Sequence, residues 1–246
     1  MGLRMLVGAL VAGQAMLLAG VKPETNAAFD KYAQLTEQRM DRELKEGHFL
    51  VLGNTSRNGI VVQDHKNDSV DVPHGQIHHW LGGVFLPGVT LAQVAAIKQD
   101  YDHYKDIYKP DVMESRLIKR NGDEFELYLK IYKKQILTVI YDTYYTVRYY
   151  SPEPRKMFLR SYATKIKEVD KPEGEDRGFL WRLNSYWRLQ EADGGVYVEC
   201  EAVSLSRDVP SFLNLVVGSF IKKFPAESMR NTLAALKRES DSRLHH

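Results

Sequence analysis

Cysteine is almost absent from this sequence: Cys200 is the only one among 246 residues. No disulfide can form within one chain, so a hydrophobic core must stabilise the fold. The sequence also lacks a large net charge, which is only +2 at pH 7. A protein with so weak a field is not expected to bind nucleic acid.

Sequence signatures of catalysis and cofactor binding are also missing. We find no phosphate-binding glycine loop, no nucleophile elbow, no zinc-binding spacing and no dinucleotide fingerprint. Cys200 falls on a strand among apolar neighbours, where a reactive thiolate is disfavoured. The sequence therefore predicts no catalytic residue, no metal site and no cofactor, and it favours a binding protein over an enzyme.

The composition is ordinary for a globular protein, except for tyrosine. Hydrophobic residues make up 43% and charged residues 27%, which is enough apolar material for a core. Tyrosine is abundant, with 14 residues. Its ring packs like an apolar group while its hydroxyl can bond a ligand, so tyrosines are candidates for the wall of a binding site.

The N-terminus is typical of a secretory signal peptide. Arg4 supplies a positive charge, and Met5–Gly20 is an uncharged apolar run. This run is short for a membrane span, which needs about 20 apolar residues. We predict that Met1–Gly20 is a signal peptide, with an uncleaved anchor as the alternative. The protein is then exported, to the periplasm or as a secreted protein of a bacterial host.

Residues 21–74 are predicted to form an N-terminal appendage. Apolar residues at helical spacing predict a helix over Asn26–Gly47. Two apolar runs at 49–53 and 59–63, separated by the turn-forming NTSRN, predict a hairpin. A polar, turn-rich stretch then leads into the main domain, residues 75–246.

Strand-like segments separated by turn signals dominate the main domain. A first strand at 76–88 precedes a helix that begins after the N-cap Thr90 and ends at Pro110. Hairpin connections between later runs predict an antiparallel sheet. These runs are Ser115–Lys119, Glu124–Tyr132, Gln135–Tyr150, Lys156–Glu168, Gly178–Gln190 and Gly195–Ser206. Residues 210–240 are again helical, with a bend or break near Pro225, so the predicted fold class is α+β.

Three segments carry a resemblance to a known family. They are VTLAQVAAIKQDYDHYKDIYKPDVMESRLI (89–118), YWRLQEADGGVYVECEAVSL (186–205) and FPAESMRNTLAALK (224–237). Over about Gly75–Ser240 the sequence resembles the START-like superfamily, which includes polyketide cyclases, coenzyme Q-binding START proteins and lipid-transfer domains. The resemblance implies a helix-grip fold, in which a curved antiparallel sheet wraps around a long C-terminal helix and encloses a cavity.

The resemblance implies binding or transport of a hydrophobic small molecule that is lipid-, quinone- or polyketide-like, with transient membrane contact. One alternative is an enzyme of the cyclase or hydrolase type that uses cavity Tyr and Ser hydroxyls. The sequence offers it no inward-facing histidine or carboxylate. The other alternative is an interaction module whose N-terminal helix docks on a partner or covers the sheet.

The segment FLWRLNSYWRL, residues 179–189, places different side chains on its two faces, because alternate residues of a strand share a face. Two tryptophans and Ser185 share one face, and Arg182 and Arg188 share the other. Burying unpaired charges is costly, so the apolar face is predicted to point inward. The arginines, with Glu199 and Glu201 of the next strand, are predicted to form an exposed lattice.

The same alternation test on the strands, together with the apolar helix stripe that holds Tyr101 and Tyr104, selects the candidate cavity wall. It consists of apolar side chains with sparse hydroxyls, as is usual for a hydrophobic ligand pocket. The candidate ligand-binding residues are Tyr101, Tyr104, Tyr141, Tyr145, Tyr149, Trp181, Ser185 and Trp187. The alternative is a filled core in which the hydroxyls bond to neighbouring backbone.

A cluster of histidines at 74–79 is predicted not to bind a metal. His78 and His79 are adjacent on a strand and point to opposite faces, so they cannot easily share one ion. His74 precedes the strand. We predict that these histidines are exposed to solvent or engaged in hydrogen bonds.

Overall fold

The computed structural model describes residues 20–65, 69–134, 138–172, 175–208 and 219–244, and side chains of the last segment from Pro225 onward. All but the last residue of the predicted signal peptide lies outside these ranges, as do 210–218 of the predicted C-terminal helical segment and the start of the run predicted at Gln135. Within the described ranges, no helix has both the length and the apolar character needed to cross a membrane.

The described residues form four α-helices, nine strands and two short 3₁₀ segments. The helices are α1 (Pro23–Lys45), α2 (Leu91–Gln99), α3 (Tyr104–Ile107) and α4 (Ser219–Leu244). The strands are β1 (Val61–Asp64), β2 (Val70–Val72), β3 (Gly75–Pro87), β4 (Val112–Asn121), β5 (Glu124–Lys134), β6 (Thr138–Glu153), β7 (Lys156–Glu168), β8 (Arg182–Ala192) and β9 (Gly195–Arg207). The 3₁₀ segments are Gly53–Asn58 and Tyr101–His103.

All nine strands belong to one antiparallel sheet with the order β1-β3-β9-β8-β7-β6-β5-β4, and β2 also pairs with β3. From β4 to β9 each strand pairs with the next one in sequence, as hairpin connections require. The exception is β3, which pairs along its whole length with β9. The predicted α+β helix-grip architecture is confirmed, with a curved sheet and a C-terminal helix.

The C-terminal helix α4 packs closely on strand β3. Its apolar stripe, Met229, Leu233 and Leu236, is buried as predicted. A Cβ atom on Gly82 would lie 2.5 Å from the Met229 sulfur and 2.9 Å from a methyl carbon of Leu233. The absence of a side chain at Gly82 therefore lets the helix approach the sheet.

The helix predicted from Thr90 to Lys109 is interrupted in the structure. Thr90 does cap it, since its hydroxyl accepts a hydrogen bond from the backbone N–H of Gln93. The helical geometry ends at Asp100, whose φ and ψ are −83° and 55°. The Asp100 carboxylate is held there by His103 at 2.6 Å and by Arg243 of α4 at 2.7 Å.

The hairpin predicted at 49–63 is wrong. The second predicted strand does form, as β1, but β1 pairs with β3. No strand forms at 49–53. The backbone N–H groups of Val51, Leu52 and Gly53 donate instead to the Glu199 carboxylate, at 2.7–3.0 Å. The Glu199 carboxylate on β9 thus accepts the hydrogen bonds that a partner strand would have accepted. Sequence periodicity cannot reveal such a contact, because it reports only local patterns.

Helix α1 covers the face of the sheet that is turned away from α4. Phe29, Ala33 and Met40 of α1 are buried and belong to a second apolar core. On the sheet side this core includes Ile77, Phe158, Tyr186, Val203 and Leu205. Strands β1 and β2 of the predicted appendage join the main sheet, so residues 21–74 contact residues 75–246 extensively. Whether they are a separate domain stays a prediction.

The prediction that these arginines and glutamates form an exposed lattice is therefore wrong. These side chains do point away from α4, but α1 and the segment after it bury them: Arg188, Glu199 and Glu201 are each at most 2% exposed. Arg188 donates to Glu43 of α1 at 2.6 Å and to the Phe49 carbonyl at 3.1 Å. Buried charges are tolerated only with partners of this kind.

Glu199 gives a direct test of this buried network. Replacing Glu199 by Ala leaves the N–H groups of 51–53 without their acceptor and should cost about 3–5 kcal/mol of unfolding free energy, measured by urea denaturation. The matched control is Glu153→Ala, because Glu153 is exposed and paired with Lys156 at 2.9 Å. It should cost at most about 1 kcal/mol. Equal losses in the two variants would contradict a buried role for Glu199.

Candidate functional site

A cavity of about 440 Å³ lies between the inner face of the sheet, the α2–α3 region and α4. Most of its lining is apolar or aromatic. The aliphatic side chains on strands β5 and β6 that line it are Leu127, Leu129, Ile131, Val139 and Val147. The exposed members of the lining, Lys109, Pro110, Asn231 and Arg238, come from the α3–β4 connection and from α4. The volume and the lining fall in the range of small-molecule sites.

The structure brings most of the predicted ligand-binding residues together on this cavity. Those that line it are Tyr101, Tyr104, Tyr141, Tyr145, Tyr149, Ser185 and Trp187. They come from the α2–α3 region and strands β6 and β8, so the assignment of the inward face is confirmed for them. Their contact with a ligand stays a prediction.

Trp181 is placed elsewhere, so its assignment to the inward face is wrong. Its ring packs with the second core, on the α1 side, and its indole N–H donates to Asp176 at 2.7 Å. The predicted strand started at Gly178, whereas β8 starts at Arg182. The alternation of faces does not extend into the preceding loop, and Leu180 lines the cavity instead.

Three of the cavity tyrosines use their hydroxyls within the protein. Tyr104 and Tyr149 both donate to the backbone carbonyl of Lys98, at 2.7 and 2.8 Å. The hydroxyls of Tyr149 and Tyr101 are 2.7 Å apart. These bonds satisfy the carbonyl at the end of α2, which helix geometry leaves without a partner. For this trio the interpretation as core hydroxyls bonded to neighbouring groups is the correct one.

Two other cavity hydroxyls have no hydrogen-bond partner among the residues that the structure describes. The oxygens of Tyr108 and Tyr141 are buried and unpaired, although both residues line the cavity. Burial raises the pKa of each phenol above its usual value, so both remain neutral donors. A buried polar group without a partner is uncommon and costly, and a bound molecule could supply the missing acceptor.

Lys98 is a charged cavity residue that sequence reasoning missed. Its side chain lines the cavity and is 5% exposed, with Nζ 3.5 Å from the centre of the Trp187 ring. Burial lowers the pKa of Lys98 to about 8. The signal was present, because Lys98 follows Val94 by four residues and so shares its buried helix face.

Other reactive side chains at the cavity include a thiol, an imidazole and the ion pair of Asp111 with Lys133, so a carboxylate also faces the cavity, against expectation. Cys200 lines it as expected, and burial raises the pKa of the thiol to about 12. His78 also lines it and lies 2.9 Å from the Ser206 hydroxyl. The expectation that no histidine faces inward is therefore wrong. His78 and His79 do point to opposite faces, as predicted, but both are buried.

On the α1 side, His65, His79 and Glu201 place their ligand atoms within 4.8 Å of one another, close enough to hold a metal ion. Their hydrogen bonds fit a self-contained network better. His79 bonds Glu201 at 2.5 Å and the Tyr32 hydroxyl at 2.8 Å. Arg39 also donates to Glu201, and its positive charge disfavours a second cation. Burial would raise the pKa of Glu201, but the bond to His79 and the charge of Arg39 lower it overall.

Comparison with known proteins places this geometry in a recognised fold. No family model matches the sequence, and no curated protein matches it. Among solved structures the chain is similar to a STAR-related lipid transfer protein from Xanthomonas axonopodis, with 19% identity, a TM-score of 0.51, and coverage of 74% of this chain and 99% of that one. It is also similar to the Zhui aromatase/cyclase from Streptomyces, with 12% identity, a TM-score of 0.47, and coverage of 68% and 96%.

The sheet and the C-terminal helix therefore have the START-like helix-grip fold. Identities below 20% show the shared fold and leave the ligand open. The structure thus confirms the architecture that the sequence resemblance implied, whereas the choice of bound molecule depends on the side chains of this chain.

The unpaired state of Tyr141 can be tested against a bonded tyrosine in the same cavity. Tyr149→Phe removes the hydrogen bond to the Lys98 carbonyl and should cost about 1 kcal/mol of unfolding free energy. Tyr141→Phe removes a buried hydroxyl that has no partner, so it should be neutral or slightly stabilising. Chemical denaturation of ligand-free protein measures both. A loss for Tyr141→Phe as large as that for Tyr149→Phe would show that the Tyr141 hydroxyl is bonded.

Proposed function

We propose that the protein binds a hydrophobic small molecule in the cavity and carries it as a transfer protein does. The observation that carries the proposal is the cavity of about 440 Å³ with a mostly apolar and aromatic lining. Each methylene moved from water into such a site contributes about 0.8 kcal/mol. A chain of roughly ten methylenes therefore supplies about 8 kcal/mol before the costs of ordering the ligand are subtracted.

Several features support carriage over catalysis. The hydroxyls of Tyr101, Tyr104 and Tyr149 are engaged with each other and with backbone. Burial raises the pKa of all three phenols, so they are poor proton donors and acceptors near neutral pH. The pair of His78 and Ser206 lies side by side, but Ser206 is not among the residues that line the cavity. We therefore place an enzyme of the cyclase or hydrolase type second.

The fold supports the same proposal without identifying the ligand. The similar Xanthomonas structure is described as a lipid transfer protein, and lipid-, quinone- and polyketide-like molecules all suit an apolar cavity. We also propose that Met1–Gly20 directs export to the periplasm or the medium, supported by the apolar run after Arg4. Transient contact with a membrane would then allow loading and release.

Native mass spectrometry of protein purified from its own host, followed by organic extraction, is the direct test. A reproducible apolar species released from the protein would establish binding and name the ligand class. Protein that is empty after native purification, and that also fails to bind fluorescent hydrophobic probes, would contradict the proposal.

Filling the cavity should abolish probe binding while the protein remains folded. Ala202 lines the cavity on β9, and Ala202→Phe should weaken binding of N-phenyl-1-naphthylamine by at least about tenfold, because the added ring occupies the ligand volume. Ala96→Phe, on an exposed position of α2, is the matched control and should bind like the wild type. Fluorescence titration gives the affinities, and circular dichroism checks the fold. Equal binding by both variants would place the probe outside the cavity.

A further inference from the structure

The further inference concerns the charged end of the cavity and rests on the proposed function. Lys98 lies one residue before the end of α2, with its ammonium over the Trp187 ring. Its Nζ is 5.9 Å and 6.0 Å from the ring centres of Tyr104 and Tyr108. Aromatic faces attract the ammonium, but they do not neutralise it.

No described residue provides a carboxylate that pairs with Lys98. The carboxylate of Asp111, at the cavity lining, pairs with Lys133 at 2.6 Å. Asp100, two residues along the chain, is engaged by His103 and Arg243. The titratable groups that face Lys98 are the Tyr104 and Tyr108 phenols and the Cys200 thiol, and burial raises the pKa of all three, which keeps them neutral.

Hydrogen-bond donors outnumber acceptors around the Lys98 ammonium. The Lys98 ammonium has three N–H donors. The nearby Tyr108 hydroxyl is buried, and the polar group beside it among the described residues is the neutral Tyr104 phenol, with which it makes no well-formed hydrogen bond. A buried cation without a counter-ion is costly, and a bound oxygen anion would satisfy both groups. The other cations of the lining are exposed (Lys109 and Arg238) or paired with Asp111 (Lys133). The one buried cation without a carboxylate partner matches a singly charged ligand group such as a carboxylate, since phosphate groups are commonly bound by bidentate arginine.

We infer that the cavity selects an amphipathic ligand with a carboxylate head, which pairs with the Lys98 ammonium and accepts a hydrogen bond from the Tyr108 hydroxyl while the apolar tail occupies the rest of the cavity. The depressed pKa of Lys98, about 8, agrees with an unpaired ammonium in ligand-free protein. A carboxylate beside it would restore the pKa toward its usual value.

The test compares dodecanoate with dodecanol, which share a tail and differ in the head group. Isothermal titration calorimetry at pH 7 on the wild type should show tighter binding of the acid by about 10- to 100-fold, the usual gain from a charge-assisted hydrogen bond. Lys98→Met should abolish the difference in affinity between the acid and the alcohol, because the ammonium that distinguishes a carboxylate from a hydroxyl is gone. Lys105→Met, an exposed lysine on α3, should retain it.

The outcomes separate this inference from the proposed function. Equal binding of acid and alcohol by the wild type, or a preference that survives in Lys98→Met, would overturn the carboxylate site and leave the hydrophobic cavity intact. Failure of the wild type to bind either molecule would overturn both.

Two further measurements distinguish a ligand-pairing lysine from a structural one. Lys98→Met should raise the Tm of ligand-free protein by a few degrees, because it removes an unpaired buried charge. Above about pH 8 free Lys98 loses its proton, so dodecanoate binding must take up a proton and should weaken by up to tenfold per pH unit. The affinity for dodecanol should not show this pH dependence. A lower Tm for Lys98→Met, or pH-independent binding of the acid, would contradict the proposal.

Discussion

Burial of the central strands on both faces is the constraint on which the rest of the structure depends. Helix α4 and the cavity occupy one face of β3, β8 and β9, and helix α1 covers the other. Each charged side chain on the covered face must then find a partner within the protein, because water cannot reach it. Arg188, Glu199 and Glu201 meet this requirement through α1 and the segment after it.

That requirement explains why residues 21–74 fold as they do. Glu199 accepts three backbone hydrogen bonds from 51–53, and these bonds fix the chain on the sheet just before the 3₁₀ segment Gly53–Asn58, where a hairpin strand was expected. Arg39 and Glu43, four residues apart on α1, reach Glu201 and Arg188 on neighbouring strands. The polar contacts fix the position of α1 along the sheet, while Phe29 and Met40 supply the apolar burial. Specificity and stability thus come from different side chains of one helix.

The sequence predicted well which side chains share a face of a strand. It predicted poorly which distant segment of the chain covers that face. Alternation assigned Tyr141, Tyr145 and Trp187 to the inner face correctly, because strand geometry alone determines it. It could not show that α1 would bury Arg188 and Glu199, since a charged outer face normally implies water. The missed cavity lysine has a similar cause: a lysine is normally solvated, so its residue type gives no sign of burial, although the spacing from Val94 places Lys98 on the buried face.

The polar groups of the cavity are unevenly distributed, and this decides how a common fold acquires a particular ligand. The aliphatic wall discriminates weakly, because one methylene more or less changes binding by only about 1 kcal/mol. Lys98, Tyr108 and Tyr141 offer donors without matching acceptors among the described residues. A ligand with an oxygen acceptor relieves these unsatisfied groups, whereas a pure hydrocarbon leaves them desolvated. In the proposed function, head-group recognition falls to these few donors, and the sheet and helix that define the fold hold them in place.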